Sequence, residues 1–573
     1  MRFRITMWLA TLIAAFALTS GAVQARNAPT GQSLAVVRPV VSCAALSATD
    51  LTAIGGAGSG VTSATLDKSD GIEVCDVKGT LTPKVNFEVL LPTKTWSQRY
   101  LQVGCGGLCG DITLRSGASS GCKVLNDGGF VMAATDMGHT GQSGEWGLDD
   151  QRRADFAYRA EHITGQAAKL LIRKFYGRAQ KYAYFNGCSD GGREALMEAQ
   201  RFPDDFDGVI AGAPAMLFQV QNTLYHGWMA TVNRDAAGHN ILLSAKLPAL
   251  HAAVLAACDG NDGVTDGIVA VPAACRFDPA VLACKTGQSG NACLTAAEID
   301  VVRKFYEGPR DPKTGSPLTA GQPLYGSELN WQGIYVPDSD GGMMMSTMIV
   351  PPVWKDIAFV PPRTTATMAD WTFDTATLDA LRARHTLFDA TNANLDAFAA
   401  RGGKLILWHG LGDPHISPAN TVSYQQAIEK AMGRDRVNGF ERLYLLPGVA
   451  HCGGGQGPSA LDLLSAMMAW VEGGHAPDAI LTSTTATESS FGQPTAGSKG
   501  GARQGPPPMA KLETAALPAM TRPVYPYPFV AKYKGTGDYT KAVNWEKGAA
   551  TQVVALHPWP GSDLFAPFIF SDK

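Results

Sequence analysis

The pentapeptide Gly187-Cys188-Ser189-Asp190-Gly191 matches the pattern G-x-S-x-G and separates two segments of different predicted structure. The apolar, aromatic run 181–186 before it predicts a strand, and residues 192–200 after it predict a helix. A serine on a sharp strand-to-helix turn forms a nucleophile elbow, which exposes the hydroxyl. Glycines flank such a serine because a Cβ does not fit beside the strained turn. The pattern therefore predicts Ser189 as a nucleophile.

Alternating strand and helix patterns on both sides of this turn indicate the fold class. Apolar runs predict strands at 86–92, 99–104, 129–136, 181–186, 403–410 and 442–446. Residues 155–176 repeat apolar side chains at three- and four-residue spacing, which predicts a helix. Such alternation is typical of a mostly parallel sheet with helices on its faces. We therefore predict an α/β fold, of the α/β-hydrolase type that an elbow serine indicates.

The alternation stops in a long central segment, residues 216–391. This segment is rich in Gly, Pro and Asp, contains four cysteines, and has a methionine cluster at 343–345. We predict that it is a loop-rich insertion between two parts of the α/β domain, residues 26–215 and 392–573. Within the second part, residues 494–508 predict a loop, and the chain after them is expected to be irregular.

The first 25 residues have the pattern of a secretory signal peptide. Arg2 and Arg4 precede an apolar run at 5–18, and residues 23–25 place small side chains where a signal peptidase cleaves. An uncleaved membrane anchor is the alternative, although the run is short for a bilayer span. We expect a secreted or periplasmic protein with no membrane contact after cleavage. A net charge of −3 without a basic cluster speaks against nucleic acid binding.

If the protein is exported, we expect most of its eleven cysteines to form disulfide bonds, because cysteines pair in an oxidising compartment. Their odd number leaves at least one free or paired between chains. Cys188 directly precedes Ser189, and Cys452 directly follows His451. If that serine and histidine come within hydrogen-bonding reach, the two cysteines are close enough for a disulfide bond. Two buried free thiols are the alternative.

A nucleophilic serine needs a base, and the base needs an acid that orients it. In α/β-hydrolases the acid and then the histidine follow the serine, each on a loop after a late strand. Asp413 follows the strand at 403–410, and His451 follows the strand at 442–446. We therefore predict that Ser189 attacks, that His451 removes its proton, and that Asp413 fixes the imidazole tautomer.

Four other polar residues near these strands are less suited to a place in the catalytic triad. His409 precedes a glycine turn and is expected to cap a loop, and His415 lies in a proline-flanked loop. Asp136 and His139 follow an early strand, so we expect them to be structural or to line the site.

The oxyanion hole requires two backbone donors. We assign one to the N–H of Asp190 and the other to Gly106 or Gly107, in the glycine-rich turn 104–110. This turn lacks the Lys-Ser/Thr that follows in a phosphate-binding loop, which argues against that alternative.

Residues 258–268 place several aspartates in one short loop with glycines that permit sharp turns. Hard oxygen ligands at this density suit Ca²⁺, although the glutamate that ends an EF-hand loop is missing. A solvated acidic turn is the alternative.

Together these motifs resemble the tannase and feruloyl esterase family of α/β-hydrolases. The resemblance covers most of the mature chain. It is carried by residues 134–139, 187–193, 262–267, 409–413, 451–452, 522–523 and 527–528.

The resemblance implies a hydrolase domain interrupted by a lid, the segment 216–391, with structural calcium in the lid. It implies that side chains of Asp259, Asp262 and Asp266 and the carbonyls of Val264 and Ile268 bind the ion. It also implies the disulfides Cys188–Cys452, Cys43–Cys75, Cys258–Cys275 and Cys284–Cys293. Among Cys105, Cys109 and Cys122 we expect one bond, Cys109–Cys122. A late cysteine pair typical of the family is absent, and Tyr525 stands at its first position.

The function that follows is a serine esterase for esters of hydroxybenzoic or hydroxycinnamic acids. A terephthalate monoester hydrolase is an alternative, although no arginine shortly before Trp354 is placed to bind a carboxylate. A peptidase on the same fold is a second alternative, and a non-catalytic polyphenol- or carbohydrate-binding protein is a third. Trp331, Tyr335, the methionines 343–345 and Trp354 are either ring-binding residues or ordinary lid core. The oligomeric state is not predicted.

Overall fold

The structure is a computed structural model that describes residues 31–119, 121–484, 512 and 518–572. The predicted signal peptide at 1–25 and the predicted loop at 494–508 lie outside these residues. Among the described residues, no helix has both the length and the hydrophobicity needed to cross a bilayer.

A nine-stranded sheet forms the centre of the molecule, in the order β1-β2-β3-β5-β4-β6-β7-β8-β9. The pairs from β5 through β4 to β9 are parallel, whereas β1, β2, β3 and β5 pair antiparallel. The strands are β1 Gly60–Ser69, β2 Ile72–Leu81, β3 Val85–Pro92, β4 Arg99–Val103, β5 Phe130–Thr135, β6 Tyr182–Cys188, β7 Gly208–Gly212, β8 Lys404–Gly410 and β9 Glu441–Leu446.

Helices cover both faces of the sheet. Those of at least seven residues are α1 Ala160–Tyr176, α2 Asp190–Arg201, α3 His226–Val232, α4 Leu247–Cys258, α5 Ala296–Glu307, α6 Met345–Pro352, α7 Thr375–Leu381, α8 Pro418–Met432 and α9 Leu463–Gly473. The predicted α/β fold, a mostly parallel sheet with helices on its faces, is confirmed.

Successive residues of the central strands enter two separate cores, because neighbouring side chains of a strand point to opposite faces. Phe185 and Leu405 join a cluster that includes side chains of α1 and α2. Tyr184 and Ile406 join a second cluster, built mainly with α9. Burial on both faces explains why these strands are almost continuously apolar in the sequence.

Between β7 and β8 the chain forms helices, short turns and loops, and it adds no strand to the central sheet. The predicted insertion 216–391 lies within this interval. Part of it has a buried cluster of its own, which includes Tyr225, Leu250, Phe305 and Trp331.

Three parts of the sheet structure were not predicted. The antiparallel pair β1–β2 and the short parallel strand β7 were missed, and the C-terminal region expected to be irregular contains strands. These are β11 Thr521–Val524, which pairs with β10 Ile480–Ser483 from before that region, and β12 Phe529–Tyr533 with β13 Trp545–Ala550. Most residues of β12 and β13 are partly or fully exposed, so these strands lack the apolar run that marks a buried strand.

The structure contains five disulfide bonds, and four of them are the pairs that the family resemblance implied. The predicted Cys109–Cys122 bond is wrong, because Cys109 pairs with Cys105 instead. Cys105 and Cys109 lie on one tight turn, closed by the Cys109 amide and the Gly106 carbonyl, with Cα atoms 5.4 Å apart. Cys122 is a buried free thiol 3.9 Å from the sulfur of Met468.

Candidate active site

Ser189 lies on the turn between β6 and α2 with a backbone conformation that few residues adopt. Its φ of 66° and ψ of −122° lie outside the regions ordinarily open to a residue with a side chain. The turn is held by a hydrogen bond from the Ser189 amide to the Gly212 carbonyl, at 3.0 Å. A Cβ on Gly191 would lie 2.7 Å from the Cys105 carbonyl oxygen, so the close approach of that loop requires glycine. The side chain of Ser189 is partly exposed, as a nucleophile must be.

Asp413 and His451 form a buried pair at the ends of β8 and β9. The His451 Nδ1 atom lies 2.7 Å from Asp413 Oδ2, and Asp413 is fully buried. The other carboxylate oxygen accepts the backbone amides of His415 and Ile416, at 2.7 and 3.0 Å. With Nδ1 facing a carboxylate, His451 carries its proton there, and Nε2 is the unprotonated nitrogen, the form that can act as a base.

His409 is a second histidine partner of Asp413. Its Nε2 lies 3.1 Å from Asp413 Oδ2 and 3.0 Å from the Ile416 carbonyl, while Nδ1 lies 2.7 Å from the Thr421 hydroxyl. Because both neighbours of Nε2 are acceptors, Nε2 is assigned the proton and Nδ1 accepts from Thr421. The expected loop-capping contact exists, but the sequence did not predict the bond from His409 to the acid.

These contacts keep Asp413 ionised. Burial opposes the charge, but the attraction of His451 and the hydrogen bonds from His409 and His451 outweigh it and hold the pKa of Asp413 well below its usual range. An acid that stays charged stabilises an imidazolium beside it, which is the role predicted for Asp413.

Two neutral histidines lie near His451. The His415 ring centroid is 4.8 Å from that of His451, and His226 is 5.8 Å from His415. Burial, and then the charge of His451, lowers the pKa of His226 to about 3, and the same two causes lower the pKa of His415. His226 contacts the Ser346 hydroxyl at 2.8 Å, so α3 and α6 of the insertion reach this part of the site.

The Cys188–Cys452 disulfide connects the elbow to the histidine loop. It joins the residue before Ser189 to the residue after His451 across 264 positions of sequence, with Cα atoms 6.0 Å apart. The bond thereby holds the loops of the predicted nucleophile and base next to each other. Asp413 reaches the same place through its contact with His451.

The turn 104–110 packs against the beginning of α2. The Gly191 amide donates to the Cys105 carbonyl at 2.7 Å, which places this turn beside the elbow. Gly106 and Gly107 are both partly exposed, and neither amide donates a hydrogen bond within the described residues. The Asp190 amide, at the first position of α2, is likewise without a helical acceptor. These amides include the donors predicted for the oxyanion hole.

Comparison with known proteins identifies the family. The profile described as "Tannase and feruloyl esterase" matches residues 69–547. The chain belongs to this family. It is 31% identical over 543 residues to a mono(2-hydroxyethyl) terephthalate hydrolase of Piscinibacter sakaiensis, covering 82% of this chain and 84% of that protein. It is also 31% identical over 500 residues to a probable feruloyl esterase of Arthroderma benhamiae, covering 83% and 86%.

A solved structure of feruloyl esterase B from Aspergillus oryzae has the same fold. The TM-score is 0.72 at 26% identity, and the match covers 88% of this chain and all of that one. As a member of the tannase and feruloyl esterase family, the protein is a carboxylic ester hydrolase.

Other predicted residues of this esterase have identifiable contacts. Asp136 accepts both the backbone and the side-chain N–H of Asn86 and joins β3 to β5, which is the structural role expected of it. His139 Nε2 donates to the Leu108 carbonyl at 2.7 Å, so it supports the turn that contains Gly106. Trp331 is fully buried in the core of the insertion, where it packs on Phe305.

The aspartate-rich loop has oxygen atoms suited to a hard cation. Asp259 accepts the amides of Asp266 and Gly267, and Asp266 forms an ion pair with Arg522. The buried Asp262 Oδ2 has no partner among the described residues, and burial raises the pKa of Asp262 to about 6. The three carboxylates do not each bring an oxygen within 4.8 Å of the others.

Proposed function

We propose that this esterase hydrolyses esters of hydroxybenzoic or hydroxycinnamic acids through an acyl-enzyme on Ser189. The observation that carries the mechanism is the buried Asp413–His451 pair, held beside the strained Ser189 turn by the Cys188–Cys452 disulfide. This arrangement supplies a nucleophile, a base and an orienting acid in the chain order of α/β-hydrolases.

The proposed reaction has two steps. Ser189 Oγ attacks the ester carbonyl while His451 Nε2 takes up the hydroxyl proton, which it then gives to the leaving alcohol. The oxyanion of each tetrahedral intermediate is bound by the N–H groups of Asp190 and Gly106. Water, deprotonated by His451, then attacks the acyl-enzyme, and His451 gives the proton to Ser189 Oγ as the acid is released.

The aromatic-acid assignment is supported by the relatives. The probable feruloyl esterase and the solved feruloyl esterase B are named for hydroxycinnamate esters. The terephthalate hydrolase is a relative of equal identity, so a terephthalate monoester is the second candidate substrate. Both are esters of aromatic acids, so the assignment depends on which acid the enzyme prefers.

A panel of esters tests this assignment. We expect kcat/KM for methyl ferulate, methyl gallate or an alkyl hydroxybenzoate to exceed that for p-nitrophenyl acetate, relative to each ester's uncatalysed hydrolysis, by about 10-fold or more. Mono(2-hydroxyethyl) terephthalate belongs in the same panel, with acid release followed by chromatography.

Two other results of this ester panel would change the substrate assignment. Preference for the terephthalate monoester would select the second candidate. Activity confined to the p-nitrophenyl ester would leave the ester hydrolase in place and contradict the aromatic-acid assignment.

Calcium is the ion that the lid loop is proposed to hold. The Asp262 Oδ2 atom, which has no partner among the residues that the structure describes, and the carboxylates of Asp259 and Asp266 match the hard oxygen ligands of Ca²⁺. The carbonyls of Val264 and Ile268 accept no backbone hydrogen bond within the described residues, so they fit as further ligands. The bound ion would neutralise the loop's acidic side chains and contribute to stability.

We expect chelation by EGTA to lower the unfolding midpoint by ~2–5 °C, because an ion bound only by the folded state stabilises it by mass action. Differential scanning fluorimetry with and without added CaCl₂ measures the shift. Asp262→Asn should reduce the response, whereas Asp278→Asn, an exposed carboxylate of the same insertion, should keep it. An unchanged midpoint in the wild type after chelation would contradict a structural ion.

We also propose that the protein is exported to the cell exterior or the periplasm. Five disulfide bonds support an oxidising compartment, and the predicted signal peptide supports the same route.

A further inference from the structure

A buried carboxyl group lies under the turn that contains Gly106 and has no role in the mechanism described above. Glu194 is four residues into α2, one helical turn beyond the elbow, and it is 2% exposed. Burying a carboxyl group costs free energy unless its oxygens are hydrogen-bonded, so its contacts indicate what it does.

Glu194 binds the backbone of the oxyanion turn directly. Its Oε2 atom accepts the Cys105 amide at 3.0 Å. The Gly191 amide, one turn earlier on α2, donates to the Cys105 carbonyl at 2.7 Å. Helix α2 therefore holds Cys105 at both its N–H and its C=O, through the side chain of Glu194 and the backbone of Gly191.

These two bonds determine where the Gly106 N–H points. The Cys105 carbonyl and the Gly106 N–H belong to one peptide group, and in a trans peptide they point in opposite directions. Once Gly191 binds that carbonyl, the Gly106 N–H is directed away from α2. The bond from Glu194 to the Cys105 amide orients the preceding peptide group, so the turn cannot rotate about Cys105.

The surrounding contacts leave little room for movement. Glu194 Oε1 lies 2.8 Å from the sulfur of Cys105 and 3.2 Å from that of Cys109, the two residues whose disulfide closes the turn. A Cβ on Gly104 would lie 2.6 Å from Glu194 Oε2, so only glycine allows the turn to pack this closely on the carboxyl.

The side chain is suited to act as a neutral acid. Burial, and then the charges of Glu161 and Asp190, raises the pKa of Glu194 well above its usual range. Arg193, the nearest cation on α2, makes two contacts with Asp190, at 2.7 and 2.9 Å. A protonated Glu194 accepts the Cys105 amide through one oxygen, and its carboxyl group also shares a hydrogen bond with the side chain of Glu161, whose ionised form that bond favours.

We propose that Glu194 is a positioning residue for the oxyanion hole, acting through the Cys105 amide to hold the Gly106 N–H in place. The inference rests on the proposed esterase mechanism, because it concerns the same site. Its effect falls on the transition state, where the oxyanion forms, and not on binding of the ground-state ester.

Two amide substitutions of different length test the proposal. Glu194→Gln keeps an acceptor at the same reach, whereas Glu194→Asn is one methylene shorter and does not reach the Cys105 amide. We expect Glu194→Asn to lower kcat by ~10–100-fold with KM within about twofold, and Glu194→Gln to retain most of the wild-type kcat. The affinity for an arylboronic acid, which forms a tetrahedral adduct with the serine, should fall by a similar factor in Glu194→Asn only.

Glu198→Asn is the matched control, since Glu198 is an equally buried carboxyl one turn further along α2. It has no contact with the turn 104–110 among the described residues, so kcat should stay within about threefold of the wild type. Unfolding midpoints of all variants separate loss of folded protein from loss of positioning. If Glu194→Asn does not fold, Glu194→Asp provides the same shortened reach.

Several results would overturn the inference. Equal kcat in the Gln and Asn variants would do so, as would a rise in KM at constant kcat or an equal loss in Glu198→Asn. Ser189→Ala measured beside them keeps the two proposals distinguishable. If Ser189→Ala shows no turnover while the Glu194 variants stay fully active, the result supports the proposed mechanism and contradicts only the positioning role of Glu194.

Discussion

Replacing Ser189 with alanine should lower kcat on any ester that the wild type cleaves by about 10⁴-fold or more. The hydroxyl oxygen is the only atom removed, and without it no acyl-enzyme forms. Alanine has the same Cβ as serine, so the strained backbone of the turn, with φ at 66°, meets no new obstacle. The Ser189 side chain does not cap α2, so we expect the free energy of unfolding to change by less than about 0.5 kcal/mol.

The matched control for this variant is Ser59→Ala. Ser59 is a buried serine near the first strands, and its Oγ accepts the Thr82 amide at 2.9 Å, so this change should affect stability but not kcat. Acid release measured under single-turnover conditions excludes contamination by wild-type enzyme. If Ser189→Ala retains more than a few per cent of the activity, the nucleophile is another residue and the proposed mechanism is wrong.

The sequence predicted the parts of the site that follow strands of the central sheet. Ser189 directly follows a parallel strand, and Asp413 and His451 lie in the loops after two others, all three strands being largely buried on both faces. These three strands have a clear apolar run, and the carboxyl ends of parallel strands align in the sheet, as the pairing of Cys188 with Gly212 and of Gly212 with Trp408 illustrates. Chain order was therefore sufficient to nominate all three residues.

The supporting contacts depend on loop conformation, which sequence periodicity does not encode. The bond between Cys105 and Cys109 requires the turn 104–110 to close tightly, with Cys109 at a φ of 60°. His409 reaches Asp413 only because the chain from Gly410 to Ile416 turns back over the end of β8. A Gly-rich pattern predicts that such a turn exists but leaves its path open.

The burial of Glu194 is another feature that could not be predicted from the sequence. In the sequence it is an ordinary glutamate in an amphipathic helix, where a charged residue is expected to face solvent. Four consecutive residues of α2 from Gly191 to Glu194 are nevertheless buried, because the sheet, α1 and the oxyanion turn enclose the beginning of the helix. Burial of this helix depends on contacts that are distant in sequence, and only the assembled fold displays them.

The second large effect is expected for Asp413→Asn, which should lower kcat by about 10⁴-fold. Oδ2 lies within hydrogen-bonding distance of His451 and His409, and Oδ1 accepts the amides of His415 and Ile416. Asparagine offers one carbonyl oxygen and one NH₂ group, so in either orientation an NH₂ faces two N–H donors. If it faces His451, the imidazole must move its proton to Nε2, and it can no longer accept a proton from Ser189.

Asp389→Asn separates this effect from the general cost of changing a buried aspartate. Asp389 is also fully buried and also pairs with a histidine, since its Oδ2 lies 2.9 Å from His385 Nδ1, but it is not part of the proposed triad. Both variants should lose ~1–3 kcal/mol of unfolding free energy, because each leaves buried polar groups unsatisfied. Only Asp413→Asn should also lose catalysis, with KM nearly unchanged, since the defect concerns proton transfer and not ester binding. Equal losses of kcat in the two folded variants would mean that Asp413 acts only as a structural aspartate, and His451 would then need a different orienting group.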